Sequence, residues 1–165
     1  MESLQQHPDQ KRVALVIQYQ GSRFHGWQRQ PNSSSIQETI EDAISLILKQ
    51  KILLVAAGRT DAGVHAVKMF AHFDAKITKE IEFKLVNLLN SFLDFNISVK
   101  KLFKVNKSAH ARFDAVSRTY KYKICFHKDP FEHERCLLLK KNINFKQIKK
   151  ASEILLNHQD FKSFS

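Results

Sequence analysis

Residues 12–19 read RVALVIQY, a stretch dominated by apolar and β-branched side chains. Such residues fit a pleated strand, and so few polar positions predict a strand that is mostly buried. Residues 21–34, GSRFHGWQRQPNSS, follow with the glycine and proline of a loop. That loop carries phenylalanine, histidine, tryptophan and two arginines. The chain therefore begins with a buried strand and a loop whose large side chains either pack or contact a ligand.

Two helices are predicted around the middle of the chain. Residues 35–38, SIQE, form a capping box, in which the serine accepts from a backbone amide and the glutamate reaches back. The following apolar residues recur at helical spacing to about Lys49. Thr78 is a predicted N-cap for a second helix, whose first turn holds Glu80 and Glu82.

Further strands are predicted at residues 52–57, around 67–73, at 96–105 and at 116–126. In the last of these, one face is mainly apolar and the other carries basic side chains. A last helix is predicted to begin near Asn144. The resulting order is β-α-β-β-α-β-β-α, without an internal repeat. This order predicts the α+β fold class.

Composition and charge bound the function. The 165 residues suffice for one domain or two small ones, and 43% hydrophobic with 26% charged residues is typical of a globular protein. Residues 98–165 hold 16 Lys and Arg against 6 Asp and Glu, and so carry +10 of the net charge of +11. This excess favours nucleic acid as the partner, because neutralised phosphates release counterions. The alternative is a set of ordinary solvated lysine faces.

The sequence has no run of about 20 apolar residues, so we expect no membrane partner. The first twelve residues lack the apolar centre of a signal peptide. We therefore expect a cytoplasmic protein, and the two cysteines, Cys125 and Cys136, are consistent with a reducing compartment. A zinc site at these cysteines with His127 and His133 is disfavoured by the irregular spacing.

Residues 58–65, GRTDAGVH, hold the most distinctive chemistry of the chain. Two glycines flank Asp61 and let the backbone turn sharply close to a ligand, while Arg59 places a cation near the acid. Local chemistry alone also allows a plain turn with a surface ion pair.

This segment resembles a known family, the tRNA pseudouridine synthase A (TruA) family. The resemblance extends over several blocks in the same order, from Arg12 to Ser165. Those blocks are YQG at 19–21, FHGWQRQP at 24–31, Asn90 in LLNSFL, HARF at 110–113, SRTYKY at 117–122 and HQDFKSF at 158–164.

The resemblance implies a tRNA pseudouridine synthase, an isomerase that converts uridine to pseudouridine in the anticodon stem-loop of tRNA. It implies no cofactor and no metal, and a homodimer that binds RNA across both subunits. The implied fold is pseudouridine synthase-like, with a mixed, mainly antiparallel sheet and flanking helices.

The resemblance also implies roles for individual residues. Asp61 matches the catalytic carboxylate, which acts as a nucleophile or stabilises a cationic sugar. Tyr120 matches the tyrosine that stacks on the target base, and Arg59 matches the residue that fills the gap left by that base. The supporting residues of these motifs are Gly58, Thr60, Gly63, His65 and Arg118.

We expect a disordered tail over residues 1–11, an α+β subdomain over 12–105 containing the GRTDAGVH loop, and the start of a basic subdomain over 106–165. Members of the family continue beyond the HDF segment. We therefore expect this chain to be truncated at its C-terminus, with its sheet incomplete and without the arginine that pairs with the catalytic aspartate. Two other hypotheses remain: a catalytically inactive, truncated paralogue that binds tRNA, and an interaction or RNA-chaperone protein that uses the scaffold differently.

Overall fold

The computed structural model of the protein describes residues 10–140 and 143–162. The chain divides into two compact units, residues 1–120 and residues 121–165. Residues 1–9 of the expected disordered tail lie outside the described residues. Of the other two residues of that tail, Lys11 is the first residue of a strand. The expected boundary between residues 105 and 106 stays a prediction.

The first unit contains a four-stranded antiparallel sheet with the strand order β2-β3-β1-β4. Its strands are β1 (Lys11–Tyr19), β2 (Val55–Ala56), β3 (Ala66–Ala75) and β4 (Ile97–Lys104). The two helices are α1 (Ile36–Leu48) and α2 (Lys79–Phe92). The α+β class is confirmed, as are the predicted caps, since Ser35 accepts from the Glu38 amide and Thr78 from the Ile81 amide.

Alternate side chains of β1 form the centre of the core. Leu15 and Ile17 are fully buried, and Phe73 of β3 joins them in one cluster. Both helices contribute to this cluster, with Ile40 from α1 and Leu85 from α2 among the buried residues. Burial of β3 is confined to its second half, and Val67 near its start is 83% exposed. The helices therefore cover one face of the sheet.

Asn90 of α2 completes the hydrogen bonding at one edge of this sheet. Its Nδ2 donates to the Val99 carbonyl at 2.9 Å, and its Oδ1 accepts from the Val99 amide at 2.8 Å. Val99 lies on β4, the edge strand, where backbone groups otherwise face outward without a strand partner. The Asn90 side chain thus makes two hydrogen bonds of the kind that a neighbouring strand would make with this edge.

The second unit contains two short parallel strands, β5 (Ile124–Cys125) and β6 (Leu137–Leu138), and the helix α3 (Phe145–Leu155). The predicted N-cap at Asn144 is confirmed, since its Oδ1 accepts from the Gln147 amide. The predicted strand over residues 116–126 is wrong except at β5. A strand requires a hydrogen-bonded neighbour, and within the described residues no strand pairs with residues 116–122.

The two cysteines differ from the expectation of free thiols in a reducing compartment. Pairing of β5 with β6 brings their Cα atoms within 6.0 Å, and Cys125 and Cys136 form a disulfide. They are therefore not thiolate ligands for zinc in this structure. No helix within the described part of the chain is long and apolar enough to cross a membrane.

We predict that Asn90→Ala lowers the free energy of unfolding by about 1–3 kcal/mol, because both backbone groups of Val99 lose their partner. Urea denaturation measures the change. Ser91→Ala is the control, since the exposed Ser91 hydroxyl donates to the Leu88 carbonyl of its own helix and its loss costs within about 0.5 kcal/mol. Equal unfolding free energies for the two variants would contradict the role assigned to Asn90.

Candidate functional site

A buried carboxylate on α1 fixes the segment that enters the GRTDAGVH loop. Glu41 is only 2% exposed, and its Oε1 accepts from the Leu54 amide at 2.8 Å and from Gln37 Nε2 at 2.9 Å. Gln37 also donates to the Leu54 carbonyl, and Arg29 Nη1 lies 3.2 Å from Glu41 Oε2. A buried charge is stable only with such a full set of donors. Helix α1 therefore holds β2 and the start of the loop in place.

Thr60 anchors the middle of the loop. The Tyr19 hydroxyl, at the end of β1, hydrogen-bonds Thr60 Oγ1 at 2.8 Å, and the Trp27 amide donates to the Thr60 carbonyl at 2.9 Å. Burial raises the pKa of the Tyr19 phenol above its usual value, so the phenol remains protonated at neutral pH. The predicted supporting residue Thr60 is thus held through both its side chain and its backbone.

Two glycines of the 21–34 loop allow its backbone to touch the GRTDAGVH loop. A Cβ on Gly21 would lie 2.1 Å from the Val64 carbonyl oxygen, and one on Gly26 would lie 2.7 Å from that of Thr60. Gly26 also has a φ of +92°, which disfavours any side chain. The two loops therefore pack backbone against backbone.

The remaining motif residues shape the end of the loop. His65 Nδ1 accepts from the Gly21 amide at 3.1 Å, so this ring braces the two loops. Gly63 has a φ of +78° in the turn that follows Asp61, and the Val64 amide closes that turn on the Asp61 carbonyl at 3.2 Å. The predicted supporting roles of Gly63 and His65 agree with these contacts and remain predictions.

Asp61 itself projects from this fixed frame. The residue is exposed, and its carboxylate has no hydrogen bond or ion pair among residues 10–140 and 143–162. Arg59 is exposed as well and forms no ion pair with Asp61. A plain turn closed by an Arg–Asp pair, the alternative that the sequence allowed, is therefore not what the structure contains.

Arg118 joins the loop to a second segment. Its Nε donates to the Ala57 carbonyl at 2.8 Å, and its Nη2 donates to the Arg112 carbonyl at 2.7 Å. A Cβ on Gly58 would lie 3.4 Å from Arg118 Nε, so this glycine lets the guanidinium lie along the backbone. Gly58 and Arg118 thus act together at the start of the loop.

A cavity of about 520 Å³ opens beside this junction. Three arginines line it, Arg59, Arg112 and Arg118, together with Tyr120, which is 70% exposed. No aspartate or glutamate of the described residues lines it, so the cavity favours an anionic ligand with an aromatic or planar group. The structure brings Arg59, Arg118 and Tyr120 together here, whereas Asp61 is not among the lining residues.

Arg112 and Trp27 also line the cavity, although the sequence alone assigns neither of them a role there. Arg112 lines the cavity, and its carbonyl accepts from Arg118 Nη2. Trp27 was open to either interpretation; it is 2% exposed, packs 5.9 Å from the Tyr19 ring and still lines the cavity. The HARF block that matched the family was the available signal for Arg112.

The chain is similar to a protein family and to several bacterial proteins. Residues 15–114 match the family profile described as tRNA pseudouridine synthase. Three bacterial proteins named tRNA pseudouridine synthase A are similar to the chain, from Parabacteroides distasonis (43% identity), Porphyromonas gingivalis (43%) and Azobacteroides pseudotrichonymphae (42%). Each match covers 93–94% of this chain and 61–62% of the relative. The chain therefore spans about three fifths of the length of these relatives.

We predict that Gly26→Ala and Gly63→Ala differ in cost although both glycines have positive φ. A Cβ at Gly63 meets nothing within 4 Å, so that variant loses only about 1–2 kcal/mol to backbone strain. A Cβ at Gly26 also strikes the Thr60 carbonyl, which raises the loss to the order of 3 kcal/mol. Denaturant unfolding measures both, and a smaller loss for Gly26→Ala would show that the two loops are not in close backbone contact.

Proposed function

The chain belongs to the tRNA pseudouridine synthase family, and on that premise we propose that it isomerises uridine to pseudouridine in the anticodon stem-loop of tRNA. The observation that carries the proposal is that Arg59, two residues before the exposed Asp61, lines a cavity together with Arg112, Arg118 and Tyr120. Because the chain spans only part of its relatives' length, the activity, substrate and partners are all proposals.

The proposed reaction needs no external reactant. The bond between ribose C1′ and uracil N1 breaks, the base turns, and a bond forms between C1′ and C5. The proton on C5 leaves, and N1 gains a proton, so atoms and electrons balance. We accordingly propose no cofactor and no metal for this step.

Asp61 is proposed as the catalytic carboxylate. Its carboxylate is exposed and has no partner among the described residues, so it is accessible to the ribose of an extruded nucleotide. The backbone around it is fixed by Thr60, His65 and two close-packed glycines. A carboxylate held this way can attack C1′ or stabilise a cationic sugar, and both roles remain in the proposal.

Tyr120 and Arg59 are proposed to handle the base. A uridine inside a stem must be extruded at a cost of a few kcal/mol, so the enzyme needs a surface for the base and a group that fills its place. Tyr120 offers an exposed ring at the cavity, and Arg59 extends from the loop beside Asp61. Arg112 and Arg118 are suited to the phosphates next to the extruded nucleotide.

The assembly and compartment belong to the same proposal. We propose a homodimer with tRNA bound across both subunits, as the family resemblance implies, and size-exclusion chromatography with light scattering tests it. We also propose a cytoplasmic location, where tRNA is found. In that compartment we expect the bond between Cys125 and Cys136 to be reduced, because cytosolic thiols are kept reduced.

One observation favours a second candidate function, tRNA binding without turnover. Asp61 has no basic partner within the part of the chain that the structure describes, and an arginine partner is what the family resemblance implies for this carboxylate. Incubating the purified chain with an unmodified anticodon stem-loop and assaying pseudouridine separates the two functions. Binding without product would favour the second.

We predict that Asp61→Asn lowers the rate of pseudouridine formation by at least about 10³-fold, because the nucleophilic or stabilising charge is removed. The affinity for tRNA should change by no more than a few-fold, measured by filter binding, since the exposed side chain holds no part of the fold. Asp42→Asn is the control: it makes the same charge change on α1, at an exposed pair with Arg29, and should retain turnover. Loss of binding in Asp61→Asn would instead indicate a structural role.

We predict that tRNA affinity falls steeply between low and physiological salt, because phosphate contacts release counterions. Arg112→Gln should reduce the magnitude of the slope of log affinity against log salt by about one. Lys79→Gln, at an exposed position that starts α2, is the matched control and should leave the slope unchanged. A flat salt response of the unsubstituted protein would argue against an electrostatic tRNA interface.

A further inference from the structure

His72 is a buried histidine on the sheet face that the helices do not cover. It pairs in register with Ala14 of β1, and these two residues alternate with the core residues Leu15 and Phe73. The ring is nevertheless only 5% exposed. The segment of residues 109–113, which follows β4, covers it.

Two side chains of the sheet hold this segment by its backbone. His72 Nδ1 accepts from the Ala111 amide at 3.1 Å, and Arg12 Nη1 donates to the Ala109 carbonyl at 2.9 Å. Arg12 is itself fixed by a bidentate pair with Asp74, at 2.8 and 2.6 Å. His72 thus accepts from the amide of Ala111, and Arg12 donates to the carbonyl of Ala109, two residues earlier.

The same segment shapes the cavity. Arg112 directly follows Ala111, lines the cavity, and accepts through its carbonyl from Arg118. Arg118 in turn donates to the carbonyl of Ala57, the residue directly before the GRTDAGVH loop. Hydrogen bonds and the backbone between Ala111 and Arg112 therefore connect His72, through Arg118, to the residue that precedes the loop carrying Asp61.

We propose that His72 is a positioning residue, which as a neutral ring accepting at Nδ1 docks residues 109–112 on the sheet and thereby places Arg112 and Arg118 at the cavity. The role in turnover rests on the proposed function. The docking itself does not, because it concerns only contacts within the chain.

The contact depends on the protonation state of His72. A neutral imidazole accepts at one nitrogen, whereas the imidazolium carries a proton on both and faces the Ala111 amide donor to donor. Protonation of His72 therefore removes the contact that docks the segment.

Charged and titratable groups surround this ring from every element packed on it. They are Arg12 of β1, Asp74 of β3, His110 of the covering segment, Asp114 directly after that segment, and Lys107, which acts on Asp74. Burial, followed by the electrostatic effects of Arg12 and His110, lowers the pKa of His72 below 6.5. The unfolded chain thus binds this proton more readily, so the docked form is most stable above pH 6.5 and loses stability as the pH falls below it.

Two substitutions separate the acceptor from mere packing. His72→Leu fills the space without an acceptor, and we expect the Ala111 amide to exchange hydrogen about tenfold faster, with kcat/KM for the tRNA stem-loop reduced by a similar factor. His72→Asn places an amide oxygen near the position of Nδ1, and we expect it to restore both values to within about threefold of the unsubstituted protein. Equal effects of the two variants would overturn the proposal.

A measurement on the unsubstituted chain guards against a variant that fails to fold. Nitrogen-15 NMR of His72 should show Nδ1 unprotonated at pH 7.5 and a titration midpoint below 6.5, with protection of the Ala111 amide falling over the same pH range. A proton on Nδ1 at pH 7.5 would overturn the docking. Intact NMR and exchange signatures in a chain without turnover would mean that the proposed function fails and the docking stands.

Discussion

The close backbone approach of two loops at the end of β1 is the constraint on which the site depends. Gly21 and Gly26 let the 21–34 loop touch the carbonyls of Val64 and Thr60 without a side chain between them. The amide of Trp27 then reaches Thr60, and the Tyr19 hydroxyl meets its side chain. Since α1 begins directly after this loop, the same contact ties the central strand, the helix and the GRTDAGVH segment into one frame.

Within this frame, the side chains that hold the backbone are buried, and the side chains proposed to meet the ligand are exposed. Glu41 and His72 are buried, and each accepts a hydrogen bond from the backbone amide of a segment that contributes to the cavity lining. Asp61, Arg59 and Tyr120 are exposed on these segments. Buried polar groups must be satisfied, whereas groups that act on a ligand have to remain accessible. A site assembled in this way can receive an anionic, planar ligand without first breaking contacts of its own.

The C-terminal part of the chain is basic and largely exposed. Residues 98–165 carry most of the net positive charge, and much of the second unit is exposed, so its side chains are available to a polyanion. The alternation over residues 116–126 predicted a strand, but only β5 forms. Alternation describes which side chains share a face, whereas a strand also requires a neighbour, and that neighbour is not visible in the periodicity.

The sequence alone determined the features whose causes are local. The capping residues Ser35 and Thr78, the apolar run of β1 and the glycines around Asp61 each act within a few residues, so helices, the first strand and the candidate loop could be predicted from them. The tertiary structure alone decided what depends on distant partners: the disulfide, the role of Arg112, and the bond between His72 and Ala111, 39 residues apart. Such contacts form because the sheet brings remote segments together, and no local pattern encodes which segments will meet.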